Sequence, residues 1–153
     1  MKTWIISLAS ALFLLFMAAS AQSQPLDSPV GYWTTIDDES GEPTSVVKIG
    51  ARGKELYGVI VKLLKPEDQN AKCDECSGAK KNKPVLGMEI IWGLQKDDDE
   101  WAGGRILDPG NGEEYRCYIS LENGGKQLKV RGYVGISLFG RTQYWRRTTP
   151  LKS

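Results

Sequence analysis

Apolar and polar residues alternate with a period of two along much of the chain beyond residue 30. The pattern is cleanest in EYRCYISLE (114–122), where Tyr115, Cys117, Ile119 and Leu121 fall on one side and Arg116, Tyr118, Ser120 and Glu122 on the other. Such alternation predicts an antiparallel strand with one buried face. After the turn NGGK comes QLKVRGYV (127–134), with Leu128, Val130, Gly132 and Val134 on one side, so the two segments form a predicted hairpin. Further strands are predicted at 31–36, 45–50, 55–64, 101–107 and 141–148, with turns at DESGE, ARGKE and DPGNG. Short strands at regular spacing with Gly-rich turns mean a sandwich or a barrel.

Two stretches break the rhythm. LKPEDQNAKCDECSGAKKNKP (64–84) is polar, contains Pro66 and Pro84, and reads as a long surface excursion with little regular structure. In VLGMEIIWGLQ (85–95), Leu86, Ile90 and Leu94 have helical spacing, whereas Met88, Ile90 and Trp92 alternate; a short helix or irregular turn leading into a strand is the reading adopted. Gly58, Gly103, Gly104 and Gly132 interrupt strands, where they permit the coiling that barrel closure requires.

In a closed up-and-down barrel the first strand pairs antiparallel with the last, which sets GYW (31–33) beside WRR (145–147). Trp33 would then form a barrel floor, with a guanidinium over its ring and Gly31 letting the chain bend close to it. Arg146 and Arg147 both qualify by position, and we assign the role to Arg147. Gly-x-Trp on the first strand with an arginine near the last resembles the lipocalin and wider calycin superfamily. A closer resemblance covers nearly the whole chain after residue 29: VGYWTTIDDESGEPTSVVKI, LYGVIVKLL, KNKPVLGMEIIWGL, ILDPGNGEEYRCYISL and LKVRGYVGISLFGRTQYWRR look like domain-of-unknown-function family 2147 (DUF2147), small exported bacterial proteins. The resemblance implies an all-β fold, an antiparallel up-and-down β-barrel of about eight strands, lipocalin-like, carrying one long Cys-containing loop. It implies no activity and no functional residues.

The chain of 153 residues is one domain's worth, and its start reads as a leader. Lys2, the apolar run from Trp4 to Ala19, and Ala19-Ser20-Ala21 predict a signal peptide over 1–21 with cleavage before Gln22 and a single barrel domain over 22–153. The run is shorter than the roughly 20 apolar residues of a spanning helix, so stable membrane insertion after cleavage is not expected. The residue immediately after the cleavage point is Gln22 and not a cysteine, which argues against a lipoprotein. A periplasmic or secreted location follows as the expectation. Lys2 leaves with the leader and no acidic residue does, so the 20 basic side chains fall level with the 19 acidic ones. A neutral chain lacks the electrostatic attraction behind most nucleic-acid affinity, so no nucleic-acid partner is expected.

KCDEC places Cys73 and Cys76 at C-x-x-C spacing, with Cys117 as a third thiol. With no histidine and no second C-x-x-C a zinc site would have to recruit Cys117 and a carboxylate, so no metal is expected; a redox pair would want a helix N-terminus. The favoured reading is a local Cys73–Cys76 disulfide stapling the long loop, with Cys117 a buried free thiol. Without histidine there is no Ser-His or Cys-His nucleophile, and Asp37, Asp38, Glu39 and Glu89 show no spacing that sets two across a cleft. No catalytic residue and no cofactor is assigned. Asp97 to Glu100 lacks the ligand order of a calcium loop and reads as a solvated hairpin tip, and Lys80, Lys81 and Lys83 as a solvated loop. The function expected is a periplasmic binding module for a small apolar or amphipathic ligand, with Trp92 and Trp101 near the open end. The alternative is a filled-core barrel that binds an envelope protein partner.

Overall fold

The computed structural model describes residues 26–150. The leader read at 1–21 lies outside these residues. Eight strands follow one another: β1 (Gly31–Ile36), β2 (Pro43–Arg52), β3 (Glu55–Leu63), β4 (Glu89–Asp97), β5 (Glu100–Leu107), β6 (Glu114–Glu122), β7 (Gln127–Tyr133) and β8 (Gly140–Thr148). Each pairs antiparallel with the next, and β1 pairs with β8, so the sheet is a closed up-and-down barrel in the order β1 to β8. Closure leaves no free edge, which removes the hazard of edge-to-edge association. Odd strands rise from the end that holds Gly31, and even strands descend to it. One end of the barrel, the floor, therefore gathers the starts of odd strands and the ends of even ones.

Inward positions follow the alternation. Around the lower half Trp33, Val47, Ile49, Ile91, Leu94, Ile119 and Leu128 are fully buried and fill the interior. Burying each contributes roughly 1.5–3 kcal/mol, so this half supplies the core that holds the cylinder together. Cys117 is buried among them, in register with Gly104 on one side and Gly132 on the other, so its side chain occupies space that neither neighbour fills. At Gly104 strands β4 and β5 approach so closely that a Cβ would lie 2.4 Å from the Trp92 carbonyl oxygen and 2.8 Å from Leu94. Only glycine permits that approach.

The stretch read as helix or irregular turn resolves into a turn at Leu86–Gly87 followed directly by β4; there is no helix, and Leu86 is exposed while Ile90 and Leu94 are buried. Val134 departs from its expected place on the apolar face: β7 ends at Tyr133 and Val134 lies in an exposed loop. The excursion between β3 and β4 is less free than its polarity suggested. Two single turns of 3-10 helix, Pro66–Asp68 and Gly78–Lys80, flank the Cys73–Cys76 disulfide, whose sulfurs are 1.95 Å apart. Both cysteines are buried with Val85, Met88 and Leu107, and a Cβ on Gly112 would meet the Glu75 carbonyl at 2.1 Å, so the loop is docked on the β5–β6 connection. Among the described residues no helix is long and apolar enough to cross a membrane.

Candidate functional site

The two ends of the barrel differ in construction. At the floor the register sets Trp33 opposite Arg147, and the guanidinium carbon lies 4.3 Å from the centre of the indole. The Trp33 Nε1–H donates to the Pro29 carbonyl at 2.8 Å. Arg147 Nε donates to the Gly125 carbonyl at 2.6 Å, and Nη2 to the Ser28 carbonyl at 2.7 Å. Residues leading into β1 are thereby strapped across the floor, and Gly125, with φ of 80°, accommodates them: a Cβ there would sit 1.8 Å from the Leu26 carbonyl oxygen. Gly31, with φ of 145°, bends the strap upward into β1. Burial lowers the Arg147 guanidinium from its ordinary value, because the carbonyls that replace water bring no counter-charge.

Above this plug the barrel is hollow. A cavity of about 530 Å³ opens at the other end, within the range of roughly 300–1,000 Å³ usual for small-molecule sites. Strand β8 shows how the wall changes with height. Its alternate positions run from Arg147 under Trp33, through Trp145 at the cavity base and Gln143 on the wall, to Arg141 at the rim. The same gradation holds on β2 and β1, where Ile49 and Val47 give way to Ser45, and Trp33 to Thr35. Ile60, Ile90, Ile106 and Val130 complete an apolar wall.

The polar groups in this wall are few and fixed. The Thr35 hydroxyl lies 2.6 Å from that of Thr44 and 2.7 Å from that of Ser45, and accepts from the Ser45 amide N–H at 3.1 Å. Gln143 Oε1 accepts from the Trp145 indole N–H at 3.0 Å, which leaves the amide nitrogen as the donor offered to the cavity. At the rim Arg141 is paired with Asp38, which holds its guanidinium above the ordinary value. Asp37, beside it, is held below the ordinary carboxylate value by hydrogen bonds from Ser40, backbone first and then hydroxyl.

Trp92 and Trp101, expected near the open end, are not among the residues that line this cavity. Trp92 is paired with exposed Arg105 on the outer wall, and Lys80 Nζ lies 3.9 Å from its ring centre. Trp101 is at the start of β5, hence at the floor end, with Lys96 Nζ 3.9 Å from its ring. The residues that do line the cavity, Thr35, Ser45, Gln143 and Trp145 among them, were missed. Their signal was available: with Trp33 as the floor, counting in twos toward the other end of each strand selects them. Asp97 to Glu100 forms the exposed β4–β5 turn, and among the described residues no three acidic, Cys or His side chains converge as a metal ion would require.

An eight-stranded antiparallel barrel plugged at one end and hollow at the other defines a lipocalin-like protein. A search of solved structures agrees: protein HP1028 from the human pathogen Helicobacter pylori, described as belonging to the lipocalin family, matches with a TM-score of 0.70 over 80% of this chain and 84% of that one. Sequence identity is 16%, so the likeness is one of fold. The chain belongs to the family described as "Uncharacterized protein conserved in bacteria (DUF2147)", whose model matches residues 31–147. No curated protein matches it in sequence.

Proposed function

We propose that this protein is exported and binds one small amphipathic molecule in the mouth cavity. The observation that carries the reading is the division of the barrel interior: the lower half is packed solid, and the upper half keeps about 530 Å³ open. A barrel that only displayed its outer surface would gain stability by filling that space. The apolar body of the ligand lies against Ile60, Ile106 and Val130, over Trp145. Its polar end faces the Gln143 amide and the hydroxyls of Thr35 and Ser45, which suit a neutral or hydrogen-bonding group better than a bare charge. Export rests on the leader at 1–21 and on a disulfide of the kind that persists in oxidising compartments.

Binding is tested by titrating the purified protein with N-phenyl-1-naphthylamine and displacing it with 1-dodecanol. Saturable binding is expected, and Val130→Phe, which projects a ring into the cavity, should weaken it by about tenfold or more. No saturable binding of either compound, or equal binding by the variant, would overturn the reading. N-terminal sequencing of the protein from cell fractions should find Gln22 first, outside the cytoplasm.

A further inference from the structure

The connection between β7 and β8 is an apolar tip at the mouth. In residues 132–140, GYVGISLFG, there is no charged residue, and Val134, Ile136, Leu138 and Phe139 are 66%, 60%, 74% and 68% exposed. Contiguous apolar exposure of this kind is uncommon on a monomer without a partner phase. We propose that this tip inserts into a lipid bilayer and presents the barrel mouth to the membrane surface.

The shape of the loop, with its partly paired backbone, favours a bilayer over other occupants. Arg131 donates from Nε and Nη2 to the Ser137 carbonyl at 3.0 and 2.7 Å, and from Nη2 to the Leu138 carbonyl at 3.2 Å. The Val134 N–H donates to the Phe139 carbonyl, and the Phe139 N–H to the Ile136 carbonyl, each at 3.1 Å. The tip thus turns its side chains outward and pairs the carbonyls of Ile136 to Phe139, while the apex N–H groups of residues 135–138 have no protein partner among the described residues. That suits a shallow, interfacial depth where water and headgroups reach them and not the hydrocarbon centre. A second copy of the chain is a poorer fit. A stable protein interface needs about 20–30 residues a side, whereas this is a convex hairpin tip whose flanks turn polar at Arg131 and Arg141. A few inserted side chains suffice for interfacial membrane attachment.

Charge selects the kind of lipid. Arg131 is committed to the loop and Thr142, Arg141 is paired with Asp38, and Asp37 and Asp108 line the same rim. Neither arginine beside the tip is free to attract anionic lipid, so insertion of the tip needs only a zwitterionic surface; the exposed Lys72, Lys81 and Lys83 at this end belong to the β3–β4 excursion and not to the tip. Val134 and Phe139 also line the cavity, so an apolar path runs from the tip inward. That this path delivers a lipid-derived ligand rests on the cavity reading; docking of the tip does not.

The test is flotation of the full mature chain with vesicles of phosphatidylcholine and phosphatidylethanolamine. The wild type should float, and about 0.5 M salt should leave the bound fraction unchanged, since screening acts on charge attraction and not on apolar insertion. Ile136→Asp with Leu138→Asp, two side chains outside the cavity lining, should reduce binding by about tenfold or more, given the cost of a carboxylate in hydrocarbon. Ile136→Ser with Leu138→Ser serves if the acidic pair folds poorly, and Leu26→Asp, exposed at the floor end, should float like the wild type. A wild type that stays down, a tip variant that floats equally, or flotation that requires anionic lipid overturns the proposal. So does a wild-type dimer that the tip variant dissociates while vesicles remain unbound. Val130→Phe separates the two readings: it should float normally while losing the naphthylamine probe.

Discussion

Arg147 does more than cover an aromatic face. Its Nε and Nη2 donate to the Gly125 and Ser28 carbonyls, and Nη1 reaches the Val30 carbonyl at 3.5 Å, so one fork joins the β6–β7 turn to the strap before β1. Arg147→Met keeps the stem but strands those acceptors, and should destabilise the fold by about 2–3 kcal/mol in urea unfolding. Arg147→Lys should recover less than half of that loss, because a single ammonium cannot span the carbonyls; full recovery would mean that charge over the Trp33 ring is what matters. Cys117 carries a different message. Burial pushes its thiol up to about 12, from an ordinary 9.0. Unfolded chains lose that proton above pH 9 while the native state retains it. The linkage is therefore neutral below pH 9, and stability falls as pH climbs from 9 toward about 12, with a limiting slope of about 1.4 kcal/mol per unit. Cys117→Ala should remove that part of the alkaline fall when urea midpoints of the two proteins are compared from pH 8 to 11. Parallel curves would show that the thiol is not protected in the native barrel.

Among the elements, those that the alternation marks are the ones that touch only their sequence neighbours. β6 and β7 pair across a short turn, so the face of Cys117, Ile119, Leu128 and Val130 is visible in the sequence as a period of two. The same pattern misleads one step later. Val134, Ile136 and Leu138 also alternate, but Gly135 has φ of 70° and the ladder has ended, so a strand-like rhythm lies in open solvent. Burial of Cys73 and Cys76 depends on residues 109–112, more than thirty positions away, a relation that no local period can express. The two tryptophans miss the cavity for different reasons: which barrel end a residue occupies depends on strand direction counted from β1, and Trp101 begins an odd strand, whereas Trp92 is near the start of an even strand but faces outward beside Arg105. The docked loop has its own test. Cys73→Ser with Cys76→Ser opens a very short ring, so about 2 kcal/mol of stability should be lost. Limited proteolysis should then cut between residues 74 and 83 in the variant and not in the oxidised wild type. If cleavage is unchanged, packing of Val85 and Met88, and not the disulfide, holds the loop.

At the scale of the whole molecule the sequence made the cylinder and its floor legible, because Gly31, Trp33 and Arg147 belong to the two strands that any closed barrel must join. It did not reveal the hollow, since Thr35, Ser45 and Gln143 look like ordinary strand residues until their height above Trp33 is known. That height divides the protein into two parts with different duties: a plugged end that holds the fold and an open end that offers the cavity and the apolar tip. If the division is real, damage to one end should leave the other intact. Val130 pairs with Gln143, four residues along β8 from Arg147, about 13 Å at strand rise. Substitutions that far apart with no shared partner should combine additively, within about 0.5 kcal/mol. Urea unfolding of Val130→Phe, Arg147→Met and the double variant measures this directly, and probe titration well below each melting temperature measures the cavity. Arg147→Met should bind N-phenyl-1-naphthylamine as the wild type does while unfolding sooner, and Val130→Phe should lose the probe whatever its stability. A coupling well above that limit, or a cavity lost when only the floor is loosened, would mean that plug and mouth act as one body and that ligand occupancy is felt at the strap before β1.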